Sequence, residues 1–308
     1  MPVLKEEFTY PSVVGDAEIH AITWKPEGAP KAVLQLVHGM AEYIDRYDKL
    51  ARWFAEQGIV VYGNDHLGHG QSVNDKYPLG YFGTENENAA VFVDDVKGLT
   101  DVAKKENPGL PVVLFGHSMG SFVARLYLAK YGNELAAAVI CGTAGSNPAI
   151  AAAKAATALF SKTSPKKPGK IMNSLAFGAY NKKTDNRTPF DWLSIDENNV
   201  NVYIDDPLCG FLFSNQGFRD LITMNDYMMK QEVIDAAPAD LPICFIAGDE
   251  DPVGSYGAGV KEVFELYKKN HSDVSCKLYE GKRHEIHNEA DGEVVYQDVL
   301  NFIKEKVL

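Results

Sequence analysis

The sequence predicts an α/β fold, a mostly parallel doubly wound sheet with an antiparallel N-terminal edge and an inserted cap. Three observations predict it. Short apolar runs bounded by glycine or proline alternate with helical patterns along most of the chain. Two strand-like segments stand ahead of that alternation, and the alternation stops between about 145 and 229. A chain of 308 residues with 45% hydrophobic composition has the material for a large core, and its length suits one α/β domain carrying an insertion.

Glu7 to Val13 and Ala17 to Trp24 read as two strands joined by a turn at Gly15-Asp16, an antiparallel edge. The runs Ala32 to Val37, Ile59 to Tyr62, Val112 to Phe115, Ala137 to Cys141, Ile243 to Ala247 and Val274 to Tyr279 follow. Most are too short for buried helices and rich in β-branched residues, so they read as buried parallel strands. Helical patterns fall between them at Tyr47 to Gln57, Ala89 to Glu106, Phe122 to Tyr131, Gly259 to Lys269 and Tyr296 to Lys306. Right-handed crossovers then place helices on both faces and align the strand C-terminal ends along one edge, where ligands bind. The stretch from Gly145 to Met229 opens with the Ala-rich helix candidate Ala149 to Phe160, passes Lys162, Lys166, Lys167 and Lys170, and turns aromatic and irregular. It is too long for a loop. Lying between two core strands, it reads as a cap over that edge, with 1–144 and 230–308 as the core and 145–229 as the cap.

The net charge of -12 and the pI near 5.1 leave no basic stripe for neutralising phosphates, so a nucleic-acid partner is not expected. Lys5, Glu6 and Glu7 occupy the place where a signal peptide would be apolar, and no apolar run of about 18 residues occurs. The expectation is a soluble, cytoplasmic protein. Cys141, Cys244 and Cys276 sit inside predicted buried strands while Cys209 stands apart, which favours reduced core thiols over disulfides.

The chemistry concentrates at Gly116-His117-Ser118-Met119-Gly120. A bare G-x-S-x-G is weak evidence, but here a strand directly precedes it and a helix follows, as a nucleophile elbow requires. Serine in that sharp turn takes a strained conformation, and the flanking glycines leave room for the crossing strand and helix. The helix start also points N–H groups toward the reacting centre. A serine hydroxyl needs a base, and the base an orienting acid. Both follow in order: Gly248-Asp249-Glu250-Asp251-Pro252-Val253-Gly254 after one strand, then Gly281-Lys282-Arg283-His284-Glu285-Ile286-His287 after the next. Ser, Asp, His is the chain order of the α/β-hydrolase fold. Asp251 reaches further into its loop than Asp249, and His284 lies nearer its strand than His287, so the expected set is Ser118, Asp251 and His284. Oxyanion donors are expected from the Met119 amide, after the nucleophile, and the Met40 amide, where Gly39 lets the chain leave an early strand. The Asp249 to Asp251 cluster lacks the spacing of a calcium loop, and His284 with His287 lacks the H-E-x-x-H pattern of zinc hydrolases. No metal is expected.

These residues carry a family resemblance. His38-Gly39-Met40-Ala41-Glu42, Asn64-Asp65-His66-Leu67-Gly68-His69-Gly70-Gln71-Ser72, the Ser118 pentapeptide, Asp251-Pro252-Val253-Gly254 and Arg283-His284-Glu285 together resemble the monoacylglycerol lipase and lysophospholipase group of α/β-hydrolases. That group is also labelled serine aminopeptidase S33. The resemblance spans about Ala32 to Ala290 apart from much of the cap. It implies Ser118 as nucleophile, Asp251 as acid, His284 as base, the Met40 and Met119 amides as oxyanion donors, and no cofactor. The Asp65 to Ser72 block is expected to brace a loop, with His66 and His69 structural. The lipase members usually have a small residue and a glycine where Met40-Ala41 stand, so a differently shaped oxyanion loop is expected. The cap stretches Phe190-Asp191-Trp192 and Asp206-Pro207-Leu208-Cys209-Gly210 look more like bacterial relatives called lysophospholipases.

The activity so implied is ester hydrolysis through an acyl-enzyme on a small lipid-like ester, a monoacylglycerol or lysophospholipid; the alternatives are a small-acyl or aryl esterase and an S33-type aminopeptidase or amidase. A haloalkane dehalogenase would need a carboxylate at Ser118, and a non-catalytic scaffold would be expected to lose one of the three residues. Phe177, Tyr180, Trp192, Phe211 and Phe213 are the expected lining of an apolar acyl pocket. The four cap lysines could bring the cap into transient contact with an anionic lipid surface.

Overall fold

The computed structural model describes residues 3–83 and 89–308; residues 1–2 and 84–88 of the expected core lie outside the described residues. Eight strands form one sheet: β1 (Leu4–Pro11), β2 (Glu18–Lys25), β3 (Ala32–Val37), β4 (Ile59–Asn64), β5 (Val112–His117), β6 (Ala137–Cys141), β7 (Ile243–Gly248) and β8 (Val274–Tyr279). Their order is β1-β2-β4-β3-β5-β6-β7-β8. β1 pairs antiparallel with β2, and β2 with β4; the other pairings are parallel. Helices α1 (Asp48–Glu56), α2 (Ala90–Glu106), α3 (Met119–Tyr131), α9 (Ala258–Lys268) and α10 (Glu293–Lys306) accompany the sheet.

Alternation along the strands decides which helix covers which face. Val33 and Val37 of β3 join a cluster with α2, α3 and α9, through Phe92, Val96, Val123, Tyr127, Val260 and Val263. Leu34 and Leu36 point the other way, against Leu50 and Phe54 of α1 and Tyr296 and Leu300 of α10. The central strands are buried on both faces, which is why they read as continuous apolar runs.

The antiparallel N-terminal edge is present, with β1 outermost, and β2 is almost wholly buried because it pairs with both β1 and β4. One expectation about the sheet needs correction. β8, expected as a buried strand, is instead the far edge, with alternating partial exposure that includes Cys276. Lys277 on its open side pairs with Asp298 at 2.5 Å. All four cysteines are free of disulfides.

Between β6 and β7 the chain runs through α4 (Ile150–Thr163), α5 (Lys170–Phe177), α6 (Glu197–Asp205), α7 (Asn215–Met228) and α8 (Gln231–Ala236). The later part of this segment, read as irregular, is thus largely helical. Buried polar residues hid the pattern of α7: Asn215, Gln216, Asp220 and Asn225 lie on its buried surface, where periodicity reading expects apolar side chains. Ser214 caps α7, its hydroxyl accepting the Gly217 N–H at 3.0 Å, one of the bonds a helix start requires. Arg125 of α3, fully buried, donates to the carbonyls of Ala144 and Met228, each at 3.1 Å. One guanidinium thus ties both ends of the inserted segment to the helix that follows Ser118. Among the described residues, no helix is long and apolar enough to cross a membrane.

Candidate active site

Ser118 sits between β5 and α3 with φ 54 and ψ −123. Such a conformation costs a non-glycine residue about 1–3 kcal/mol and persists only where its surroundings impose it. They do so here through the pentapeptide itself. A Cβ at Gly116 would fall on the Gly120 carbonyl, and one at Gly120 would fall on Val37 O of β3, so only glycine lets strand and helix cross this closely. The Ser118 N–H is fixed to Cys141 O of β6 at 3.0 Å. Met119 begins α3, and an N–H at that position has no intrahelical acceptor.

Asp251 and His284 arrive from neighbouring strand ends. Asp251 follows β7 and His284 follows β8, and both are buried. Asp251 Oδ2 accepts from His284 Nδ1 at 2.9 Å, while Oδ1 accepts the Val253 N–H at 2.8 Å. With the proton on Nδ1, the other ring nitrogen is an acceptor. That atom, Nε2, is buried and has no hydrogen-bond partner, and His284 and Ser118 line the same cavity. The neighbours are otherwise engaged. Asp249 accepts the Gly281 N–H at 2.8 Å, and His287 is stacked on Tyr47 at 5.0 Å, edge-on to His117.

Burial alone would lower the His284 pKa, but the Asp251 charge and hydrogen bond outweigh it and leave the imidazole above the ordinary histidine value of 6.5. A histidine expected to serve as base must be neutral to act, and His284 is protonated below its pKa. The acid limb of kcat/KM is therefore expected above pH 6.5. Asp251→Asn is expected to shift that limb to lower pH while activity falls. A pH–rate profile of both proteins checks this, and an unshifted limb in the variant would contradict it.

The loop after β3 also approaches Ser118. A Cβ at Gly39 would lie 2.6 Å from Glu42 Oε1 and 3.0 Å from Ser118 Cβ, so the backbone entering Met40 lies against the serine. His38 Nδ1 donates to Gly39 O at 2.8 Å, while Nε2 accepts the His66 N–H at 2.9 Å. Burial pushes His66 down to about 4 and His69 down to about 3, so both are neutral packing groups near pH 7. Asp65 braces the same region, accepting from the Ile44 and Gln71 N–H groups, each at 2.8 Å.

A charged network joins this loop to the His284 loop. Glu42 Oε1 accepts the Gly39 N–H at 2.5 Å and the Tyr47 hydroxyl at 2.9 Å. Arg46 donates to Glu42 at 2.5 Å and to both carboxylate oxygens of Glu285, at 2.9 and 2.8 Å. Burial opposes ionisation of Glu285, but the Arg46 charge and hydrogen bonds bring it down to about 2. The Glu42 and Glu285 positions fell inside recognisable sequence blocks, yet Arg46 lay outside them, and nothing in a sequence says that one guanidinium joins Glu42 to a carboxylate 239 residues further along the chain from itself.

The cavity over Ser118 and His284 has a volume of about 1430 Å³. Phe177, Tyr180, Trp192 and Phe211 line it, with Trp192 5.2 Å from the His284 ring and stacked on Phe177 at 6.1 Å. Met40 and Met119 line it too. Phe213, expected beside them, does not. The chain at Phe213 packs against Gly80, where a Cβ would come within 2.9 Å of Phe213 Cα, and its ring lies in the core among His69, Phe82 and Phe218, where aromatic packing buries it completely. As for metals, His117, Cys141 and His287 bring ligand atoms within 4.8 Å of one another. His117 already uses both ring nitrogens, toward Tyr47 and the His284 carbonyl, which leaves fewer donors than a four-coordinate zinc site takes.

The model of the family described as serine aminopeptidase, S33, matches residues 28–291. The chain belongs to that family. This S33 chain is 30% identical over 299 residues to a monoacylglycerol lipase of Mycolicibacterium smegmatis, covering 94% of each. It is also 30% identical to the human monoglyceride lipase over 267 residues, 86% of this chain and 79% of that one. Among solved structures, the S33 fold here superposes on a thermostable carboxyl esterase from Bacillus coagulans, in complex with glycerol, with a TM-score of 0.93, 30% identity and 99% of each chain covered.

Proposed function

We propose that the protein is a serine carboxylester hydrolase that cleaves lipid-like esters, such as a monoacylglycerol or lysophospholipid, through an acyl-enzyme on Ser118. The observation that carries the reading is the unpartnered His284 Nε2, buried and sharing a large cavity with Ser118 while Asp251 holds the other ring nitrogen. In this scheme Nε2 takes the Ser118 proton as the oxygen attacks the ester carbonyl, and the Met40 and Met119 N–H groups receive the oxyanion. His284 then protonates the departing alcohol, and water activated by the same nitrogen releases the acid. The chain's own groups handle every proton, so the reading assigns no cofactor.

Residues 145–229 serve as the cap that shapes the acyl pocket. The lipase names of the relatives and the Phe177, Trp192 and Phe211 walls support an acyl chain over a peptide. So does the charge of the cavity: among the described residues its carboxylates, Glu42 and Glu285, are both paired with Arg46, so neither is free for a substrate amino group. Four free cysteines suit a reducing cytoplasm. Leu159, Ile171 and Leu175 stand exposed beside Lys162, Lys166, Lys167 and Lys170 on the same segment, a composition suited to transient contact with an anionic lipid surface.

Hydrolysis of an ester series tests the reading. Each buried methylene contributes roughly 0.8 kcal/mol, so four more are expected to raise kcat/KM on the order of 10² until the pocket is full. A flat or falling series from acetate onward would point to a small-acyl esterase, and faster cleavage of aminoacyl amides to an aminopeptidase. Binding to anionic vesicles is expected to weaken as salt rises; binding indifferent to salt would remove the lysines from that role.

A further inference from the structure

We propose that Tyr203 is a positioning residue for the oxyanion loop, its hydroxyl reaching from the inserted segment to hold Ala41 in a backbone conformation that alanine resists. The inference rests on the reading that the Met40 N–H receives the oxyanion.

Ala41 has φ 53, in the left-handed region where the Cβ of an L-residue crowds its own backbone. It holds that conformation without the freedom of glycine, so its neighbours must supply the restraint. Two donors do so. The Tyr203 hydroxyl donates to Ala41 O at 3.0 Å, and the Gly210 N–H donates to the same oxygen at 2.9 Å. Both come from the segment between β6 and β7, more than 160 residues away in sequence. At the other end of the loop, Glu42 holds the Gly39 N–H. The Met40 N–H therefore lies between two fixed points, one held by Glu42 and one held by the inserted segment.

The phenol is itself held in aim. Its ring packs on Phe190 at 5.2 Å and lies under the Arg46 guanidinium at 4.8 Å, and Arg46 is the group that bonds Glu42. Loss of the hydroxyl leaves the ring packing intact and removes one of the two bonds to Ala41. The residue then relaxes toward negative φ, which turns the adjoining peptide units and displaces the Met40 N–H from the place where charge develops on the substrate. Small displacements of this kind act on turnover more than on substrate binding.

The test is a two-by-two cycle of Tyr203→Phe and Ala41→Gly, read as kcat and KM on a medium-chain p-nitrophenyl ester. Tyr203→Phe is expected to lower kcat about tenfold with KM changed by less than about twofold. Glycine accepts positive φ without strain, so in the Ala41→Gly background the same substitution should leave kcat close to that of Ala41→Gly alone. An undiminished kcat in Tyr203→Phe overturns the proposal, as does a tenfold loss that persists in the glycine background. Should Tyr203→Phe fold poorly alone, thermal unfolding will reveal it, and the comparison between the double variant and Ala41→Gly carries the test. Fluorophosphonate labelling of Ser118 in each variant keeps the two ideas apart. Labelling lost from every protein, the parent included, counts against the underlying reading, whereas labelling kept with no kinetic change counts against Tyr203 alone.

Discussion

Ser118→Ala is expected to lower ester turnover by about 10⁶, to near background, because a nucleophile in such a set carries nearly the whole effect of the set. The fold should survive the change. Alanine removes only the hydroxyl, and the Ser118 N–H to Cys141 O bond that secures the elbow is a backbone bond. The φ of 54 remains a strained value for alanine, so stability should stay close to that of the parent while activity disappears. Turnover by a thermally matched pair of proteins checks this. Activity within tenfold of the parent would take the reacting oxygen away from Ser118.

The second large effect separates His284 and Asp251 from their neighbours. His284→Ala is expected to cost about as much as loss of the serine, and Asp251→Asn about 10⁴, since asparagine keeps the shape but disturbs the tautomer and charge that the base needs. His287→Ala should keep most of the turnover and lose stability instead, because its ring is packed between Tyr47 and His117 and both its nitrogens are without partners. Asp249→Ala loses a bond to the Gly281 N–H, a support of the loop that carries His284. Steady-state rates with an unfolding curve for each variant decide the matter. A folded His284→Ala that keeps most of its activity, beside an inactive His287→Ala, would reverse the assignment.

What was legible in the sequence follows from how local each signal is. The strands from β3 to β7 could be read because burial on both faces gives continuous apolar runs. The elbow could be read because the clashes that forbid side chains at Gly116 and Gly120 are imposed by elements adjacent in the chain and by β3. The helix after Ser118 begins at once, at Met119, rather than at Phe122, since the strained serine itself makes the turn. Where the outcome depends on distant partners, the sequence was mute. Phe211 and Phe213 look alike in the chain, yet Phe213 packs in the core against His69, Phe82 and Phe218 while Phe211 lines the cavity. Arg46 and Tyr203 carry no motif, and their importance comes from the carboxylates and the carbonyl that the fold brings to them. Arg125 is similar: a buried cation in an otherwise apolar stretch is legible as unusual, but its bonds to Ala144 and Met228 are not.

The central claim, acyl transfer through Ser118, is tested most directly by trapping the intermediate. A slowly deacylated p-nitrophenyl ester should give a burst of one p-nitrophenol per enzyme, and the intact protein should gain the mass of one acyl group. Peptide mapping should place that group on the hydroxyl within Gly116-His117-Ser118-Met119-Gly120. An acyl group mapped to any other residue, or turnover with neither burst nor adduct under the same conditions, would contradict the account.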